Sequence, residues 1–319
     1  MCCAMWMLAV TAGAAQSPNA TPGAIGAGAT PAAAGGGGFT NAAAMQGTGI
    51  PAVPAPVTGF NFTLSNNAQH NSLTGWSDVV TPDLSYRFNK HFSLNTNVPW
   101  YPRVQNFVAK TVSGVTTYPL QEGTNLLGDT ALSGHAQANL GDFGYSLTAT
   151  GAFPTGEVKY GLSANTKTYN VTNHLEYSIG PFTPDIEAGE GNSSSLAGRS
   201  VKKSYTAVGP IANFQAGTSI DLPKKLGLDL EAYENMPIGN QNVYGTVSKK
   251  NKKGVIVTKQ VLQGTGVAED NGFQAELDIP LNANLTLSGN YERSLRQGTD
   301  TAGITLTWVL RAPKKQVTH

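Results

Sequence analysis

Charge is scarce in this chain. Asp, Glu, Lys and Arg make up 13% of its 319 residues, about half the share of an ordinary soluble domain. The formal net charge is +1, and no basic stripe interleaved with aromatics occurs, so nucleic acid is not an expected partner. No apolar run reaches the 18 or so residues of a spanning helix, which excludes a helical membrane protein. Cysteine is confined to Cys2 and Cys3, and no Cys/His/carboxylate spacing points to a metal; no cofactor is expected. No Asp, Glu, Lys or Arg precedes Asp78. Abundant instead are Gly, with 37 residues, and the small polar Thr, Ser and Asn.

The arrangement of these residues explains the shortage of charge. In Phe143, Tyr145, Leu147, Ala149, Gly151 and Phe153 every second residue is apolar or small, and Gly144, Ser146, Thr148, Thr150 and Ala152 lie between them. The beat returns in Tyr169, Val171, Leu175, Tyr177 and Ile179, and more weakly in Phe182, Ile186 and Ala188. A period of two puts each set on its own face of a strand. An apolar face about ten residues long suits a tilted strand crossing a bilayer.

Similar runs recur along the chain. Strand one carries Phe60, Phe62 and Leu64; strand two Leu84, Tyr86 and Phe88; strand three Phe92, Leu94 and Val98. A long segment from Trp100 to Asn125 follows, and strand four carries Leu132, Ala136, Ala138 and Leu140. Strands five to seven are the runs above. Strand eight spans Val208 to Ile220 despite Pro210, and strand nine holds Leu226, Leu228 and Leu230. A second long loop, Glu234 to Asn271, precedes strand ten (Phe273, Ala275, Leu277, Ile279), strand eleven (Leu285, Leu287, Tyr291) and strand twelve (Ile304, Leu306, Trp308, Leu310). Five short turns alternate with longer loops, the asymmetry of bacterial outer-membrane barrels, and this places both chain ends in the periplasm. The expected fold is all-β: a transmembrane antiparallel up-and-down barrel of about 12 strands. A soluble sandwich would also alternate, but it does not account for a polar face on nearly every strand with such unequal loops.

Four segments follow from this division. Residues 1–15 read as the apolar core and small-residue end of a signal peptide, with Ala12-Gly13-Ala14 at the cleavage site and a start truncated of its basic region. Residues 16–57, rich in Ala, Gly and Pro, read as a disordered linker. Its glycines at 23–28 lack the flanking strand and helix of a nucleotide loop. The barrel occupies 58–310, and 311–319 form a basic tail.

Two short motifs carry a family resemblance. Leu127-Gly128-Asp129 before strand four and Pro154-Thr155-Gly156-Glu157 after strand five resemble motifs of the outer-membrane barrel transporters of the MetA pathway of phenol degradation. The similarity runs over roughly Leu84 to Leu310 and centres on Gly128, Asp129, Pro154, Thr155 and Gly156. It implies an outer-membrane barrel passing small aromatic or otherwise hydrophobic molecules. Outer-membrane lipid, lipopolysaccharide and the barrel-assembly machinery are then the expected partners. One departure is that Trp308, in place of a terminal aromatic, is followed by Arg311 to His319.

Parity also assigns the interior. It points Glu176, Asp185, Glu187, Asp229, Glu231, Glu276 and Asp278 inward near one end, with His174 among them. Arg87, His91 and His135 come from strands across the barrel. Grouped carboxylates in a pore favour cations, so the expected lumen is acidic on one wall and weakly basic on the other. Mutual pairing of these charges is the competing reading. His135 near Ser133 and His174 near Ser178 are the pairs that resemble a nucleophile and base, and no acid is placed to orient either ring. No catalytic residue is assigned; a barrel hydrolase and a closed structural or adhesive barrel are the alternatives to a channel. Lysines at 202, 203, 249, 250, 252, 253 and 259 read as solvated loop charges.

Overall fold

A computed structural model describes residues 58–108, 110–113, 115–117, 119–193, 206–240, 242–250, 256–264, 270–296 and 298–311. The expected signal peptide, the whole of the linker, most of the basic tail, and Lys202, Lys203, Lys252 and Lys253 lie outside these residues.

The strands in chain order are β1 (Gly59–Asn71), β2 (Gly75–Arg87), β3 (Phe92–Asn97), β4 (Trp100–Phe107), β5 (Lys110–Val112), β6 (Val115–Thr117), β7 (Leu120–Leu127), β8 (Thr130–Leu140) and β9 (Phe143–Phe153). They continue as β10 (Thr168–Tyr177), β11 (Phe182–Ser193), β12 (Thr206–Leu222), β13 (Leu226–Pro237), β14 (Asn242–Lys250), β15 (Ile256–Gly264), β16 (Asp270–Asn282), β17 (Leu285–Ser294) and β18 (Thr299–Arg311). Around the sheet the order is β1-β18-β17-β16-β13-β12-β11-β10-β9-β8-β3-β2, and β2 pairs back to β1. Every pairing is antiparallel, so twelve strands close into a barrel with no free edge along its wall.

The barrel is inverted relative to a water-soluble protein. Ser65, Asn67, Gln69, Ser77, Thr81, Asn95, Ser133, Asn170, Asn213 and Ser288 are buried, whereas Leu94, Leu132, Ile186, Leu230, Phe273, Ile304 and Trp308 are exposed. Backbone groups pair within the closed sheet, so the outer apolar face meets hydrocarbon with no unsatisfied N–H or C=O. Inside, short polar side chains bond across strands. Asn213 Nδ2 donates to Asn170 Oδ1 at 2.8 Å, Asn71 Nδ2 to Thr301 Oγ1 at 2.8 Å, and Asn95 Nδ2 to Asp83 Oδ2 at 2.9 Å.

Exposed aromatics mark both ends of the apolar band. Beside the short turns stand Phe60, Phe88, Phe143, Tyr177, Phe182 and Trp308, with Tyr86 packed edge-on between Phe60 and Phe88 at 4.8 and 4.9 Å. Trp76, Trp100, Phe153 and Tyr169 stand toward the opposite end. Phe143 and Phe153 begin and end β9, which spans roughly 33 Å along the strand at about 3.3 Å per residue. Tilted as barrel strands are, that length covers an apolar band about 25 Å tall.

All twelve strands expected from alternation are present, and the differences lie in their extent. β1 and β2 run far beyond Leu64 and back before Leu84, joined by residues 72–74. Periodicity misses this part because Asn66, Ala68, His70 and Asp78 occupy the outward positions. The segment after Trp100 is not a loop: β4 and β7 pair as a hairpin that prolongs β3 and β8, with β5 and β6 at its tip. Within the second long loop β13 reaches Pro237, and β14 and β15 form another hairpin. The contrast between ends is weaker than expected, since residues 72–74 and 295–298 make connections as short as the turns opposite. Pro210 sits where β12 changes partner, between Val208 on β14 and Ile211 on β13, so no continuous ladder needs its missing N–H.

Candidate functional site: an acidic wall and an inward-folded segment

Five adjacent strands bring the expected carboxylates together. Pairing aligns Glu176 with Asp185, Asp185 with Gly217, and Gly217 with Glu231 across β10, β11, β12 and β13. One step nearer the turns, Ser219 pairs with Asp229 and Asp229 with Glu276; Asp278 follows opposite Gly227 and Ser288. In the row above, His174 pairs with Glu187. Its Nε2 lies 3.3 Å from Glu176 Oε2, and its Nδ1 lies 3.9 Å from Asp185 Oδ2 and 4.0 Å from Glu187 Oε2. One imidazole therefore stands against three carboxylates. Neutral donors hold much of the rest: Gln215 and Gln274 both donate to Glu231, Ser219 to Asp229, and Ser288 to Asp278.

Two glycines let these side chains lie along the wall. A Cβ at Gly144 would sit 2.3 Å from Glu176 Oε1, and one at Gly217 would sit 2.7 Å from Glu231 Cγ and 3.2 Å from Asp185 Oδ1. The space a side chain would occupy on the neighbouring strand is filled by a carboxylate stem. At Gly217 the Leu230 carbonyl is equally close, at 2.7 Å, whereas at Gly144 the three nearest atoms all belong to the Glu176 side chain. Gly144→Ala is therefore expected to push Glu176 toward the axis, and single-channel recordings should show a smaller conductance than for the unsubstituted chain.

The opposite wall is less populated. His135 on β8 has Nδ1 2.9 Å from Thr148 Oγ1 and Nε2 3.3 Å from Gln137 Oε1, and it feels the charges of Arg87 and His174. Arg87 closes its own turn, donating from Nε to Asn89 O and from Nη2 to Lys90 O, both at 2.9 Å. His91 departs from its expected place on the wall: it lies in the turn before β3, exposed, with Nδ1 2.9 Å from Gln137 O. Parity misleads there because the turn breaks the strand geometry on which parity depends. Ser133 Oγ pairs with Thr150 Oγ1 at 2.8 Å rather than with His135. Among the described residues no group of three or more His, Cys, Asp or Glu could hold a metal ion.

The two short motifs meet in space. Asp129, 3% exposed, accepts from the Gly156 N–H on Oδ1 at 2.9 Å and from the Ala164 N–H on Oδ2 at 3.0 Å. The Thr130 N–H donates to Thr155 Oγ1 at 2.8 Å, and the Glu157 N–H to Leu127 O at 2.9 Å. Burial pushes the Asp129 carboxyl above the usual aspartate range, against the opposing pull of Ser163 and the Gly156, Ala164 and Thr155 amides. Gly156 is required by close approach: a Cβ there would lie 2.4 Å from Leu162 O and 2.6 Å from the Gly128 carbonyl carbon.

Beyond this clamp, residues 154–167 turn into the barrel. Val158–Tyr160 form one 3-10 turn, capped by Glu157, which accepts from the Lys159 N–H at 3.0 Å. Leu162, 1% exposed, packs with Val79, Tyr101 and Val104, with Leu126 and Tyr160 against them. Sequence reading missed this apolar knot. Its signal was slight: Val104, Asn106 and Val108 keep the two-residue beat beyond Trp100, and Leu162 stands alone among small and polar neighbours.

No family model matches the chain, and no curated protein matches it by sequence. Solved structures do match its fold. An outer-membrane channel from Pseudomonas putida F1 aligns over 80% of this chain and 96% of its own, with a TM-score of 0.52 at 13% identity. The Pseudomonas putida toluene transporter TodX aligns over 88% and 94%, with a TM-score of 0.41 at 11% identity, and the KdgM porin over 78% and 99%, with 0.44 at 9%. What the first of these shares with this chain is the fold, a barrel of the outer-membrane channel type.

Proposed function

We propose that this protein is an outer-membrane channel that passes small molecules without chemical change. The observation that carries this reading is the combination of an apolar exterior with an interior of uncharged polar groups and one acidic wall. Such an interior is solvated and selective, and the wall favours cations over anions. Twelve strands place the bore between filled eight-stranded barrels and wide aqueous porins. What folds inward therefore governs conductance.

The permeant class follows from the family resemblance carried by Leu127–Asp129 and Pro154–Glu157: small aromatic or hydrophobic molecules. In this reading the short turns and both chain ends face the periplasm. Outer-membrane lipid and lipopolysaccharide surround the wall, and the barrel-assembly machinery inserts it. The test is purification from outer membranes followed by planar-bilayer recording in a KCl gradient, together with uptake of toluene or phenol by vesicles carrying the protein. Discrete cation-preferring conductance and faster aromatic uptake than in protein-free vesicles are expected. A water-soluble product, or membranes that stay electrically silent, would overturn the reading.

A further inference from the structure

We infer that the bore is polarised along its axis, basic at the mouth opposite the short turns and acidic at the turn end, and that it therefore rectifies ion current. This rests on the channel reading above. The first ground is the composition of one hairpin. Residues 235–268 hold five lysines and no aspartate or glutamate, the reverse of the acidic wall. Lys249 and Lys250 close β14, and Lys259 lies on β15. β14 pairs with the end of β12 farthest from the turns, Thr206 to Val208, so the hairpin carries its charge beyond the wall.

The second ground is where the hairpin goes. β14 approaches β5, at the tip of the β4–β7 hairpin, and β15 approaches the 3-10 turn at Val158–Tyr160. β4 pairs with β2, and β2 and β12 lie half the cylinder apart in the strand order. A hairpin anchored on β12 that reaches β5 spans the mouth. Lys110, exposed at the start of β5, adds a further cation there. At the other end Lys90, Lys224 and Lys225 stand exposed in turns, and the ion pairs of the acidic wall run to His174 and not to them.

The third ground is scale. On β12, Gly217 lies between Asp185 and Glu231, and Thr206 lies opposite Tyr244 of the hairpin. The stretch between them is roughly 36 Å long at about 3.3 Å per residue. The Debye length is about 10 Å in 0.1 M salt, so the two charged zones do not cancel one another. A bore narrower than that of the wide porins is still filled by the field of its own wall. The turn end then gathers cations and the mouth gathers anions. A voltage driving cations from the turn end toward the mouth drives anions the opposite way, and both accumulate where the zones meet. The reverse voltage empties that region of carriers, so the current is smaller.

The experiment records single channels at equal and opposite voltages in symmetric KCl, for the wild-type chain and for a chain carrying Lys110→Gln, Lys249→Gln, Lys250→Gln and Lys259→Gln. In about 0.1 M KCl the wild type should pass about twofold more current in one direction; in about 1 M KCl, where the Debye length is about 3 Å, the two directions should match. The glutamine chain should lose most of the asymmetry in the dilute salt. Trypsin added to one side marks the orientation. Cutting the hairpin lysines should abolish the asymmetry from the mouth side alone, and the larger current should be the one in which cations leave through that side. Equal currents in dilute salt would overturn the inference while the channel reading stands. So would an asymmetry that survives concentrated salt or the glutamine exchange, or one of the opposite sense. If the glutamine chain does not insert, the salt series on the wild type decides alone. A wild type that stays silent would overturn the channel reading as well.

Discussion

Exchanging Glu231 and Glu276 for lysine together is expected to cut the cation preference of the pore sharply. Both sit on adjacent strands of the acidic wall: Glu231 is bracketed by the Gln215 and Gln274 amides, and Glu276 lies opposite Asp229 and close to Asp278. The two new cations then face the five remaining carboxylates, and His174 stands beside three of those, so the wall keeps an acidic excess that is much reduced. In a KCl gradient the reversal potential should move well toward zero. The glutamine pair, Glu231→Gln with Glu276→Gln, should move it the same way by a smaller amount. A pore whose selectivity ignores both pairs would mean that these carboxylates pair with one another out of reach of the permeant.

The second large effect concerns the other face. Leu230→Arg should cost about 2–4 kcal/mol of folding stability measured in bilayers, the range for a cation facing lipid at mid-depth. Leu230 is 41% exposed in the middle of β13, between Thr218 on β12 and Ala275 on β16. Leu228, on the same face, stands two residues from the start of its strand beside the turn, so Leu228→Arg should cost less, about 0–1 kcal/mol. Denaturant-dependent refolding into vesicles separates the two. Equal costs at both positions would contradict the depth assigned to them.

Both experiments depend on parity, and parity was legible from the chain itself. A strand alternates faces whatever its neighbours are, so Phe143 to Phe153 declares an oily side and a wet side without reference to any other segment. The acidic wall was readable for the same reason: Glu176, Asp185, Glu231 and Asp278 fall on the wet parity of strands whose order follows from tight turns. The outward polar residues of β1 and β2 broke that signal, and His91 fell outside it because a turn has no parity. Nor could the beat disclose that Gly144 and Gly217 make room for carboxylate stems, which depends on register between strands.

The amino-acid sequence alone determined the all-β class, the twelve strands, which face of each meets hydrocarbon and which carries the acids, because alternation is a property of single strands. Only the tertiary structure decided that the Leu127–Asp129 and Pro154–Glu157 motifs form one clamp and that Leu162 packs against Val79, Tyr101 and Val104. Those contacts join residues 25 to more than 80 positions apart, and nothing in the spacing of either partner encodes where closure of the barrel will bring the other.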